Sequence, residues 1–190
     1  MIRLPIASIV CASTTSLLLF ASAVNAQTAQ PAQATQAQAA DTVRLHEADQ
    51  SFVNDGTQGV ATQRDAARIA TSRSTDRDVK AFAEKAAADN LSIANALRAA
   101  SPRGVDVPHN NPDTATLDSI KNLRGADCDK AYIEQVALSG QQKTLSAFQA
   151  EIASGRNAQL KDAAQKALPT IQAQYAAAQE LAKRKHLATQ

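Results

Sequence analysis

The residues of this chain best placed to do chemistry lie on apolar helical stripes, one on each of four long helix-forming stretches: Gln63, Asn90, Gly140 and Gln174. In a helical bundle such inward positions hold a metal when they carry glutamates and Glu-x-x-His pairs. Here they offer three neutral amides and a glycine, and no Glu-x-x-His occurs anywhere in the chain. The sequence also lacks a Gly-x-Ser-x-Gly elbow, a phosphate-binding glycine loop, a Cys-x-x-Cys and a His-Glu-x-x-His. A buried amide without a partner costs about 1 to 3 kcal/mol, so Gln63, Asn90 and Gln174 should bond to one another or to trapped water, with Gly140 leaving the space. The expectation is one vestigial polar cluster, no metal, no cofactor and no catalytic residue.

The three histidines do not alter this. His46 opens the first helix beside Glu47 and Asp49, His109 lies in a connection, and His186 follows Lys183-Arg184-Lys185, where positive charge complements a helix C-terminus. Asp76, Asp78, Asp89 and that basic run read as helix-end and solvent-face charges. With a net charge of +2 the chain has no steering field for nucleic acid or anionic lipid.

The elements that must position the stripes follow from the spacing of helix formers. Residues 1–26 have a basic start at Arg3, an apolar middle and Val24 and Ala26 at the −3 and −1 sites, a signal peptide for export to the periplasm or beyond. An uncleaved anchor and a lipoprotein signal at Cys11 are the weaker alternatives; after cleavage no integral membrane segment remains. Cleavage also leaves Cys128 without a disulfide partner, so the domain must hold by packing, with Cys128 as a small buried hydrophobe. Residues 27–40 are uncharged and rich in alanine and glutamine, too poor in apolar bulk to order, and form a disordered linker.

Residues 41–188 form one helical-bundle domain. The first helix is expected from about Arg44 to Arg73, weakened at Gly56 and Gly59. A second, with Thr75 as a capping residue, ends at Ser101-Pro102-Arg103-Gly104. A crossover with Pro108 and Pro112 leads to a short helix over about Thr114 to Leu123. The third long helix spans about Asp127 to Ser154, stopped by Gly155, and the fourth about Ala158 to Lys185, kinked or restarted at Pro169. Four amphipathic helices with one long crossover between the second and third make an all-α, ferritin-like four-helix bundle.

Asp49-x-x-Phe52, Val79-Lys80-Ala81-Phe82-Ala83 leading to Asp89-Asn90, Gly104-Val105-Asp106-Val107-Pro108, the run Leu123 to Tyr132 and Leu168-Pro169-Thr170-Ile171 together resemble the exported bacterial family called domain of unknown function 4142. The resemblance covers about Asp49 to Leu181 and implies a ferritin-like bundle. It also marks departures. The family pattern carries a glutamate where this chain has Gln63, histidines at Asn90, Gly140 and Gln174, and a phenylalanine at Cys128. The chain is thus a divergent member from which any metal-dependent activity of the pattern does not carry over. The function expected is that of a non-catalytic exported bundle with a structural, interaction or envelope-stress role, with a protein partner and an oligomeric state that the sequence leaves open. The competing readings are a ferritin-like metal-binding or redox protein with substitute ligands, and a carrier for a small apolar ligand in the space left by Gly140 and the alanines.

Overall fold

In the computed structural model, residues 44–187 are described; the signal-peptide and linker expectations for residues 1–40 lie outside them. The described chain is all-α. Helix α1 is a continuous run of Glu47–Ser51, a π-helical turn Phe52–Gly56, and Thr57–Arg73. Helix α2 is Arg77–Ala99 and the short α3 is Thr114–Lys121. Helix α4 joins Gly125–Ala131, a π-helical segment Tyr132–Gly140, and Gln141–Ser154; α5 is Ala158–Arg184.

Local chemistry sets the ends. Asp76, not Thr75, caps α2: its carboxylate accepts from the backbone N–H groups of Asp78 (2.9 Å) and Val79 (3.1 Å). Asp113 caps α3 and Asn157 caps α5 in the same manner. The helix α5 runs uninterrupted through Pro169, so no restart occurs. It ends with His186 at φ 57°, while Leu187 N–H returns to the Ala182 carbonyl at 2.9 Å. That bond is a Schellman closure, which satisfies the last carbonyls of the helix.

The two tight connections, 74–76 and 155–157, make α1–α2 and α4–α5 antiparallel hairpins. Asp49 near the start of α1 accepts from the Arg156 and Asn157 N–H groups, and Lys185 at the end of α5 pairs with Asp76. Helices α1 and α5 therefore run one way and α2 and α4 the other, and the crossover with α3 must climb the full length of the bundle. It is pinned to α1. The Arg64 guanidinium donates to the His109 carbonyl (3.0 Å) and to Asn110 Oδ1 (2.7 Å), and Asp113 N–H donates to Thr62 Oγ1 (2.8 Å).

The interior is two apolar clusters stacked along the bundle axis. One gathers Ala67, Val79, Ile120, Tyr132, Ile133 and Leu181; the other gathers Phe52, Val60, Leu97, Phe148, Leu160 and Ile171. Phe52 and Phe148 meet edge to face with centroids 4.9 Å apart. Small side chains allow close helix approach between them: a Cβ at Gly59 would collide with Thr144 Oγ1 of α4. Among the described residues no helix is long and apolar enough to cross a membrane.

Candidate functional site

A polar layer separates the two apolar clusters. On α1, Gln63 falls between Val60 and Ala67; on α2, Asn90 between Ala86 and Ile93; on α5, Gln174 between Ile171 and Ala178. The fourth helix contributes Gln141, set between Leu138 and Phe148. All four amides are buried, Asn90 completely.

Gln174 is the hub. Its Oε1 accepts from Gln141 Nε2 at 3.0 Å and from Asn90 Nδ2 at 3.3 Å, and its Nε2 donates to Asp89 Oδ2 at 3.3 Å. The same Asp89 oxygen is held by Lys85 Nζ at 2.7 Å, so the network runs from the solvent face of α2 into the core. Asn90 Nδ2 also donates to its own Ala86 carbonyl (2.9 Å), and Gln141 Nε2 to the Ile171 carbonyl (3.3 Å). Two amide nitrogens converge on one amide oxygen, an arrangement that favours mutual satisfaction and rigidity.

The four stripe positions singled out by sequence do not form a single hydrogen-bonded set. Asn90 and Gln174 are bonded directly. Gln63 bonds to neither; its Nε2 donates to the Val136 carbonyl at 2.9 Å. Gly140 lies under that amide, where an added Cβ would come within 2.9 Å of Gln63 Nε2. The space left by the missing side chain is thus used by Gln63.

The π segment of α4 explains why sequence periodicity points to Gly140 and misses Gln141. A π turn closes i→i+5 bonds and inserts an extra residue into the helical register. Gln141 N–H accordingly reaches back to Val136 O, and the side chain after the segment, not the glycine within it, faces Asn90 and Gln174. Only the i→i+5 bonding itself would have betrayed the shift, and no residue type in Tyr132–Gly140 encodes it.

The chemistry of this donor set does not suit a metal ion. Gln174 Oε1 is already filled by two N–H donors, and Asn90 Oδ1, a fully buried acceptor without a donor among the described residues, is neutral and enclosed. No group of three or more His, Cys, Asp or Glu residues is gathered among the described residues. His46 caps α1, its Nδ1 accepting weakly from Ala48 N–H (3.4 Å), and His109 is engaged through its backbone. Burial pushes the Cys128 thiol up from its ordinary value, as expected for an unreactive buried sulfur. Burial likewise raises the Tyr132 phenol, whose hydroxyl has no partner among the described residues.

Between α1 and α4, beside Gly140, lies a cleft of about 760 Å³ lined by Asp55, Gln58, Gln63, Asp113, Gln135 and Lys143 among others. A second, of about 340 Å³, opens between α2 and α5 onto Phe82, Asp89, Pro169 and Gln174. The amide layer therefore touches a cleft on each side of the bundle.

Sequence inspection also missed a buried acidic pair. Asp49 and Glu151 are each 1% exposed, at the end of the bundle where α1 begins and α4 stops. Asp49 was legible as an acid near a helix start; its burial was not.

No curated protein and no solved structure matches this chain. Residues 31–181 match the model of the family described as "Domain of unknown function (DUF4142)", and a match over so much of the 190-residue chain makes the protein a member of that family.

Proposed function

We propose that the protein is an exported, non-catalytic helical bundle whose role in the cell envelope is structural or one of interaction. The observation that supports this best is the amide layer: at the positions where a ferritin-like site would carry acids and imidazoles, this chain has neutral groups whose donors are spent on each other, on backbone carbonyls and, from Gln174, on the Asp89 carboxylate at the rim. Such a layer specifies helix register and supplies no group able to take a proton or bind a cation firmly. Export is supported by the sequence of residues 1–26.

Both parts are tested together by expressing the full chain in a Gram-negative bacterium, fractionating the cells and purifying the product without a tag under metal-replete conditions. A periplasmic product beginning at Gln27 and free of stoichiometric iron, manganese or zinc is expected. A cytoplasmic product of full length overturns export, and a stoichiometric metal lost on substitution of Asn90 or Gln174 overturns the non-catalytic reading in favour of a metal-binding or redox protein.

A second reading, a small-molecule carrier, is favoured by the cleft beside Gly140. Its lining of acids, amides and a lysine suits a polar ligand better than an apolar one. Native mass spectrometry of protein from envelope extract tests it, and absence of any bound mass counts against it.

A further inference from the structure

Glu151 has both carboxylate oxygens buried with no hydrogen-bond donor among the described residues, while Asp49 Oδ1 accepts two, from the backbone N–H groups of Arg156 (2.8 Å) and Asn157 (2.9 Å). A buried carboxyl without donors, as at Glu151, is stable only with a proton of its own to donate. Gly155 closes the space, since a Cβ there would collide with Glu151 Oε1. One turn along the same two helices, Phe52 and Phe148 seal the inner side.

We propose that Asp49 and Glu151 hold a single proton between them, Glu151 donating to Asp49, and that this bond is a pH-sensitive latch joining the start of α1 to the α4–α5 turn. The charged groups acting on Glu151 are Asp49 from α1 and Lys161 from α5, the latter held at 3.4 Å from the Gly155 carbonyl. His46 is turned onto its own first turn of helix. Burial first, then the charge of Asp49 and the hydrogen bond to it, push Glu151 up to about 7, with Lys161 opposing. A carboxyl raised in this way retains its proton in the fold where the unfolded chain has lost it. The contribution of Glu151 to stability is therefore complete below the ordinary value of 4.5 and is lost as pH rises toward 7. One proton's linkage lowers the folded-to-unfolded ratio by up to about tenfold per pH unit in that window. Above it the junction holds two buried anions and loosens.

The test is urea denaturation of the purified protein at intervals from about pH 5 to about pH 8, a span chosen to bracket the linkage window. The wild-type midpoint should fall with rising pH. Glu151→Gln, which keeps a donor to Asp49 and has nothing to titrate, should remove the fall; an unchanged fall in E151Q overturns the proposal. Should E151Q not fold, Asp49→Asn decides: with the neighbouring charge gone the transition should move to lower pH, and an unmoved transition overturns the sharing of the proton. Infrared spectroscopy near pH 6 should show the carbonyl band of one protonated carboxylic acid in the folded protein, and its absence also overturns the latch. Addition of calcium or magnesium at pH 8 should leave the midpoint where it is, whereas a rise would identify a cation site instead.

Discussion

Gln141 donates to Gln174 Oε1 across 3.0 Å, joining α4 to α5 in the middle of the bundle, and the same oxygen takes a second bond from Asn90 of α2. Three helices are thus held in one register by one acceptor. Removing that acceptor should cost more than removing either donor. Gln174→Leu strands two buried N–H groups, for a loss of about 2 to 4 kcal/mol, whereas Gln141→Leu leaves Gln174 still bonded to Asn90 and should lose about 1 to 2 kcal/mol. Urea denaturation of the two variants at one pH gives the comparison; equal losses would show that Gln174 is not the hub.

How much of this arrangement the sequence reveals depends on how far local pattern controls it. The four long helices are legible because their apolar stripes keep a 3.6-residue period over many turns, and the crossover because Pro108 and Pro112 forbid a helix there. Asn90 and Gln174 were legible as inward amides for the same reason. Gln141 was not, because the π segment Tyr132–Gly140 moves the register by one residue after the stripe has been read. The Asp49–Glu151 pair was hidden for a different cause: its members lie about a hundred residues apart and meet only when the helix ends are brought together. On the sequence, Asp49 beside His46 and Glu47 looks like a solvated helix start.

The crossover depends on Arg64. Its guanidinium bonds the His109 carbonyl and Asn110 Oδ1 while its Nε is held by Asp65 at 2.8 Å, which raises its affinity for a proton above the ordinary arginine value. Arg64→Ala should cost about 2 to 3 kcal/mol, since charge-assisted bonds to the loop are lost and a carbonyl is left short of a donor. Hydrogen exchange should speed up across residues 105–113 and not in α5. Uniform acceleration through the bundle would mean that Arg64 supports the whole fold rather than this connection.

At Gly59, α1 packs directly against Thr144 of α4. Gly59→Ala sets a methyl group against Thr144, whose hydroxyl is held by the Gly140 carbonyl at 3.1 Å, and overpacking of this kind costs about 1 to 3 kcal/mol. Thr144→Ala alone loses one hydrogen bond. Combined with Gly59→Ala it should recover much of the loss, because the colliding atom is gone. A double-mutant cycle measured by thermal unfolding checks this, and strict additivity would place the collision elsewhere.

At the opposite end from the acidic pair, Asp76 accepts from Lys185 Nζ at 2.6 Å while also capping α2. The hydrogen bond from Lys185, then those from the Val79 and Asp78 backbone, hold its carboxyl below the usual 3.8. A depressed carboxyl stabilises the fold above its unfolded value, and that contribution fades as pH falls through the folded one, the reverse of Glu151. Asp76→Asn separates the two duties, because asparagine still caps the helix but cannot carry charge. The variant should therefore stay close to wild type at low pH and fall behind it as pH rises past the ordinary carboxylate range. The difference should shrink in added salt, since the pair is partly exposed. A deficit that is the same at every pH and salt concentration would assign the role of Asp76 to the cap alone.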